Sequence, residues 1–247
     1  MRVGFAGSVR LTVVLMAATV LPQSAAEWRS LFNGRDLTGW TIAAGRTGGP
    51  TPAQPAAWKV EDGVLVGGQG PGRGSLMSTR QFRDFELDLQ FMLAEHGTRC
   101  SADLIGPAQE NASEDRGCLY NSGVYFRTAY QVNLGRQEAG EFIGVIVRRN
   151  APGAIRGNVL WLDKGDERFP GLRRKEDWNH LNLRAKGPRI TVTLNGTTIA
   201  DIEDDPVDPA ESKLKDAAPV GFQWPPSSEA GGFQGYVKFR NIRIREI

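Results

Sequence analysis

Residues that could hold an oxygen-rich ligand occur in one short segment of the chain. Gly123, Tyr125 and Arg127 occupy alternate positions of a predicted strand, so their side chains should share one face. An aromatic ring beside a planar guanidinium with five donors suits a sugar or a carbonyl oxygen, above the open space that a glycine leaves. The alternative is that Arg127 pairs with Glu86 or Asp88 across the sheet, and both interpretations stay open.

The next predicted strand carries two amide side chains in the same register. Gln131 and Asn133 share one face of it, and a hairpin pairing would bring them beside Tyr125 and Arg127. This set is rich in donors and poor in carboxylates, which suits holding an oxygen and does not suit removing a proton. We expect Arg127→Ala to abolish ligand binding or turnover with the fold intact. Gln131→Ala should weaken binding by about 1–3 kcal/mol.

The elements that must position these residues are short strands. Apolar and polar residues alternate over 85–93 and again over 190–194, which predicts strands with one buried face. A change of phase near Arg240 predicts a β-bulge in the last strand. Tight turns are predicted at Asp62-Gly63 and Asn195-Gly196. Residues 205–217 could form a short helix or a loop.

Many such strands, with glycine-rich turns and only weak helical signals, predict an all-β fold. The expected architecture is a jelly-roll β-sandwich of two packed antiparallel sheets. The polar outward side chains of one sheet would then line a groove, which is the expected place for a site.

Composition excludes several classes of function. The chain has 247 residues, with 30 Lys+Arg against 28 Asp+Glu, so it lacks the strongly basic balance typical of a nucleic-acid-binding protein. Its 2 His and 2 Cys do not suffice for a zinc cluster or a multi-histidine metal site. We therefore predict neither a metal nor a cofactor, and the sequence does not indicate the oligomeric state.

The N-terminus is typical of a signal peptide. Arg2 and Arg10 supply positive charge, residues 11–21 form an apolar run, and small residues lead to Ala26. Cleavage after Ala26 would leave residues 27–247 as a single exported domain, periplasmic or extracellular, without a stable membrane anchor. The alternative is an uncleaved N-terminal anchor.

The only two cysteines lie in one segment. In an oxidising compartment Cys100 and Cys118 should form a disulfide, which would stabilise the fold by roughly 3 kcal/mol. Two buried free thiols are the alternative.

A series of short motifs resembles the 3-keto-disaccharide hydrolase domain family, which has a concanavalin A-like jelly roll. Each motif is weak alone, and their order and spacing over the predicted mature chain make the resemblance specific. The matching segments are 31–40 (LFNGRDLTGW), 58–65 (WKVEDGVL), 84–87 (DFEL), 121–127 (NSGVYFR), 178–179 (WN), 194–196 (LNG) and 239–242 (FRNI).

The resemblance implies cleavage of 3-keto-glycosides without a cofactor. The ketone at C3 acidifies the proton on C2, a base removes that proton, and the resulting enolate expels the C1 substituent before water adds. Arg127, Tyr125, Gln131 and Asn133 would hold the oxygens. Glu138 and Glu141 are the first candidates for the base. The other candidates are Glu86, Asp88, Asp163 and His180.

The chain departs from the family pattern where acids and a histidine are usual. Gln131 replaces a Glu, Asn133 replaces a Gln, and Gly135 replaces an Asp or Asn. Gln223 is retained, but Trp224 and the following proline replace the stretch that usually carries a His. A non-catalytic glycan-binding module, with Gln223 and an exposed Trp224 among its contacts, is therefore the competing hypothesis to the enzyme.

Overall fold

The computed structural model describes twelve parts of the chain, and all its regular structure there is β-strand. The described residues are 1, 26–43, 57–68, 74–94, 120–137, 140–141, 143–148, 159–160, 172–174, 177–203, 216–224 and 236–247. The strands are β1 (Arg29–Ser30), β2 (Trp40–Ala43), β3 (Trp58–Glu61), β4 (Val64–Gly67), β5 (Ser75–Phe82), β6 (Phe85–Ala94), β7 (Tyr120–Phe126), β8 (Tyr130–Gln137), β9 (Gly140–Glu141), β10 (Ile146–Arg148), β11 (Val159–Leu160), β12 (Asn179–Lys186), β13 (Arg189–Leu194), β14 (Thr197–Glu203), β15 (Ala218–Phe222) and β16 (Tyr236–Glu246).

The strands form two eight-stranded sheets in which all pairings are antiparallel. Sheet 1 has the order β14-β13-β12-β6-β16-β4-β3, with β1 paired to β16. Sheet 2 has the order β11-β10-β8-β7-β15-β5-β2, with β9 paired to β8. The predicted jelly-roll sandwich is confirmed.

The alternation of apolar residues places the core between the two sheets. Along β6, Phe85, Leu87, Leu89 and Phe91 are each 0 % exposed, because successive side chains of a strand point to opposite sides. Aromatic rings join the sheets at the centre. Phe222 of sheet 2 stacks on Phe239 of sheet 1 with ring centroids 4.2 Å apart.

The predicted turns and the predicted bulge are also confirmed. Asp62 and Gly63 connect β3 to β4 with φ of 48° and 79°, which fits the twist of a two-residue hairpin. An Asn-Gly pair at 195–196 does the same between β13 and β14. The register of β16 against β6 shifts between Arg240 and Arg243, so the two halves of β16 have opposite phases.

Several predictions fall on residues outside the described parts of the chain. These are the leader up to Ala25, Cys100, Cys118, Glu138, Asp163 and most of the 205–217 segment. Within the described residues, the structure has no helix long and apolar enough to cross a membrane.

Candidate functional site

Three amide side chains meet on the outer face of sheet 2. The hairpin of β7 and β8 pairs Gly123 with Asn133 and Tyr125 with Gln131. Beyond the end of β15, the backbone N–H of Gln223 donates to the carbonyl of Gly123 at 2.8 Å, which places Gln223 beside that hairpin. We call Gln131, Asn133 and Gln223 the amide cluster.

Gln131 is the centre of the amide cluster. Its Nε2 donates to Oδ1 of Asn133 at 2.8 Å and to Oε1 of Gln223 at 2.5 Å. Gln131 is only 3 % exposed, whereas Asn133 and Gln223 are half-buried. The oxygens of Asn133 and Gln223 both accept from Gln131, and among the described residues no group accepts a bond from their amino groups. The cluster therefore offers two amide donors at its surface.

Gly123 allows the Gln131 amide to lie flat on the sheet. A Cβ at this position would contact Nε2 of Gln131 and would approach the carbonyl oxygen of Val132 to 2.7 Å. The open space predicted above Gly123 is therefore absent, because Gln131 fills it. The glycine therefore makes room for the Gln131 amide.

Tyr125 borders the amide cluster as a packed side chain. It is 6 % exposed and forms a small apolar group with Ala43 and Met77 on the same outer face. Its register partner on the other side is Gly221 of β15. Most of the tyrosine surface is thus committed to packing, and the ring supports one side of the site.

Arg127 lies away from the amide cluster, contrary to the predicted shared face. Strand β7 ends at Phe126, and Arg127 enters the turn with a φ of 44°, so the alternation stops before it. Its guanidinium donates to three acceptors in the connections after β5 and after β12. These are the carbonyl of Arg83 at 3.0 Å, the carbonyl of Gly187 at 2.6 Å and Oδ1 of Asp84 at 2.8 Å.

These contacts make Arg127 a connection between the two sheets at one end of the sandwich. The side chain is 3 % exposed, and burial lowers the pKa of the guanidinium while the charge of Asp84 acts in the opposite direction. The ion pair is with Asp84 and not with Glu86 or Asp88, the two partners considered from the sequence. The catalytic role of Arg127 stays a prediction that the geometry does not support.

Trp224 does not join the amide cluster. It alternates with Gln223 and packs, half-buried, against the main core between the sheets. The exposed sugar platform expected of Trp224 is therefore absent, because its neighbour Gln223 takes the outward position.

The two candidates for the base remain predictions. Glu138 lies outside the described residues. Glu141 belongs to β9 and is the register partner of Arg136, which is out of phase with Gln131 and Asn133 along β8.

Three of the other base candidates lie on the opposite side of the molecule. Glu86, Asp88 and His180 occupy outward positions of β6 and β12 in sheet 1. Two packed sheets are separated by about 10 Å of core, so these groups cannot reach a ligand at the amide cluster. Within the described residues no group of His, Cys, Asp and Glu is arranged to hold a metal ion.

Sequence reasoning missed Asp84 as the partner of Arg127. Its Oδ1 also accepts a hydrogen bond from the N–H of Gly187 at 3.0 Å, so one carboxylate joins the ends of β5, β7 and β12. The available signal was an aspartate directly before a long apolar strand, which is typical of a turn residue that binds neighbouring backbone groups.

Comparison with known proteins identifies the family. The family model described as a 3-keto-alpha-glucoside-1,2-lyase-like domain matches residues 27–245. The chain belongs to this family. No curated protein sequence matches the chain.

Solved structures share the fold at low identity. A candidate glycosyl hydrolase from Parabacteroides distasonis is 20% identical with a TM-score of 0.53, covering 90% of this chain and 100% of that one. The carbohydrate-binding module CBM66 from Bacillus subtilis is 13% identical with a TM-score of 0.50, covering 84% and 96%. The exoplasmic/lumenal domain of VIP36, in a Ca2+/Man3GlcNAc-bound form, is 10% identical with a TM-score of 0.52, covering 86% and 87%. At these identities the likeness shows the jelly-roll fold alone.

Proposed function

We propose that the amide cluster binds the oxygen atoms of a sugar on the outer face of sheet 2. The observation that carries this proposal is the pair of bonds from the Gln131 amide, which leaves the amino groups of the half-buried Asn133 and Gln223 as donors for a ligand. Two donors held on either side of β7, one on β8 and one just beyond the end of β15, suit a carbonyl or hydroxyl oxygen. Family membership and the carbohydrate-binding proteins among the structural neighbours support a carbohydrate as the ligand.

The reaction we propose is cleavage of a 3-keto-glycoside by elimination. A base takes the proton from C2, and the electron pair of that C–H bond forms an enolate whose oxygen is bound by the amide donors. The enolate then expels the C1 substituent, which leaves with its bonding electrons and accepts a proton. Water adds afterwards at C1, and C2 regains a proton. Glu138 or Glu141 would supply the base.

A glycan-binding module without catalysis is the second candidate. The two bonds from Gln131 to Asn133 and Gln223 both join amide groups, and neither involves a carboxylate or an imidazole. An arrangement of this kind binds a sugar without removing a proton. The two candidates share the ligand class and the site, and they differ in turnover.

The test uses a panel of 3-keto disaccharides and their unoxidised parents, followed by NMR in D2O. An eliminating enzyme cleaves only the oxidised sugars and places deuterium at C2 of the early product, whereas direct hydrolysis keeps the C2 proton. Gln131→Ala should weaken binding by about 1–3 kcal/mol, because the half-buried oxygens of Asn133 and Gln223 lose the donor that orients them. Gln81→Ala, an exposed amide of the same sheet, is the matched control and should change nothing.

The outcomes separate the candidates. Binding without turnover across the panel, in wild type, would assign the glycan-binding module. Turnover that survives in Glu138→Gln and is lost in Glu141→Gln would assign Glu141 as the base, and the reverse result would assign Glu138. An absence of binding to every sugar would refute both candidates.

Export to the periplasm or the extracellular space is part of the proposal. The apolar run at 11–21 and the small residues before Glu27 support it. The intact mass of the protein recovered from the exported fraction should correspond to residues 27–247. A mass that retains the first 26 residues would contradict cleavage at this position.

A further inference from the structure

The outer face of sheet 1 carries an unusual row of cations along β16. Lys238, Arg240, Arg243 and Arg245 point outward, and the bulge after Arg240 keeps all of them on one side. We call these residues the β16 stripe. Each member lies over an aromatic ring. The distances to the ring centroids are 5.4 Å for Lys238 on Tyr236, 4.0 Å for Arg240 on Trp178, and 4.9 and 4.6 Å for Arg243 and Arg245 on Trp28.

One half of the β16 stripe is neutralised by carboxylates of β6. Nε of Arg243 donates to Oδ1 of Asp88 at 2.9 Å, and Nε of Arg245 donates to Oε2 of Glu86 at 2.9 Å. Asp88 is 8 % exposed and also contacts Nε2 of His180 at 2.7 Å. These two arginines are therefore paired within the fold and have little charge left for a partner.

The other half of the stripe keeps its charge. Nε of Arg240 donates to Oε1 of Gln90 at 2.7 Å, and this neutral amide orients the guanidinium without compensating it. Neither Lys238 nor Arg240 takes part in an ion pair among the described residues. The Trp178 ring and Gln90 hold Arg240 in one position, so its remaining donors are preorganised for an anion.

We propose that Lys238, Arg240 and Trp178 bind an anionic polysaccharide, a chain of sugars bearing carboxylate or sulfate groups. Alternate residues of a strand are about 7 Å apart, so two fixed cations meet successive charged groups of an extended polymer. The rings of Tyr236 and Trp178, which lie beside these two cations, offer apolar surface to sugar rings.

Charge argues against the other polyanions. A nucleic acid carries one charge per about 1.7 Å, and its proteins have strongly basic domains, whereas this chain has a net charge of +2. An anionic membrane surface typically recruits clusters of about 4–8 uncompensated Lys and Arg, and here half of the stripe is already paired. A polysaccharide has more widely spaced charges, so it fits the two cations Lys238 and Arg240 better than a nucleic acid or a membrane does.

This inference does not depend on the amide cluster. The β16 stripe lies on the outer face of sheet 1, and the amide cluster lies on the outer face of sheet 2, with the core between them. A polymer held at the stripe would leave the amide cluster accessible.

The test measures binding of polygalacturonate to the full chain by calorimetry. We expect Lys238→Gln/Arg240→Gln to weaken binding at least tenfold. The matched control is Arg184→Gln/Lys186→Gln, which removes the same charge from exposed positions of β12 on the same sheet face. It should weaken binding less than threefold, because neither side chain stacks on a ring or is held by an amide within the part of the chain that the structure describes. Equal thermal unfolding of both variants shows that the fold is retained.

Four results would overturn the inference. The first is that polygalacturonate does not bind to the wild type. The second is that the two double variants lose affinity equally, which would mean that positive charge anywhere on this face attracts the polymer. Undiminished binding of fully methyl-esterified polygalacturonate would exclude charge as the cause. Tighter binding of oligo(dT) or of phosphatidylglycerol vesicles would assign the stripe to another class of partner. Binding unchanged in Gln131→Ala is expected, because that side chain lies on the other sheet.

Discussion

Arg127→Ala should destabilise the fold rather than the ligand complex. The substitution removes three hydrogen bonds from a side chain that is 3 % exposed. At roughly 1 kcal/mol for each bond, the free energy of unfolding should fall by about 3 kcal/mol. Asp84 limits the loss because it is 33 % exposed and keeps its bond to the Gly187 N–H. Ligand affinity per folded molecule should stay as in wild type.

Urea unfolding of wild type and variants measures this change. Arg127→Lys should lie between wild type and Arg127→Ala, because one ammonium can reach Asp84 but cannot serve both carbonyls. Arg80→Ala is the matched control, since Arg80 pairs with Glu246 but the two side chains are 49% and 62% exposed. Such a pair contributes less than about 1 kcal/mol.

A particular result would refute the structural role of Arg127. If Arg127→Ala unfolds at the same urea concentration as wild type and loses sugar binding, the guanidinium acts on the ligand, as predicted from the sequence. Loss of stability together with retained binding at low temperature supports the connection between the sheets.

Three further predictions concern other parts of the chain. Gly123→Ala should lower the free energy of unfolding by about 1–3 kcal/mol, because its Cβ would lie 2.7 Å from the carbonyl oxygen of Val132. Urea unfolding measures this change, and a variant as stable as wild type would show that the sheet can shift. Hydrogen bonds lower the pKa of Asp36 below 3.8, so the advantage of wild type over Asp36→Asn should be complete above that pH and disappear as the pH falls through the lowered pKa. Acid titration of both proteins followed by circular dichroism measures this difference, and a difference that does not shrink at acidic pH would contradict it. Thiol labelling of the denatured, unreduced protein should find no free thiol if Cys100 and Cys118 are bridged, and two labels would show that they are free.

The sandwich could be predicted because its strands and turns have sequence patterns that are visible within a few residues. The alternation over 85–93 places five large side chains in the core, and an Asp-Gly pair at 62–63 is sufficient to specify the turn between β3 and β4. Even the bulge near Arg240 is visible as a phase change. Each of these features depends on neighbours within a few residues.

The site was harder to predict because its contacts are distant in sequence. Gln131 meets Gln223 across 92 positions, and only the insertion of β15 beside β7 brings them together. The predicted orientation of Arg127 was wrong for a different reason. Its positive φ ends the alternation one residue earlier than the pattern suggests, and an arginine carries no local preference for that conformation.

The strand order also sets the sequence of events during biosynthesis. The central strands of both sheets come last, since β15 lies between β7 and β5 and β16 lies between β6 and β4. A nascent chain that has reached only residue 203 therefore lacks the strand that joins the two halves of each sheet. Such long-range closure makes folding slow and late. A chain that cannot complete either sheet during synthesis stays unfolded until β15 and β16 have been made, which would suit the export proposed above.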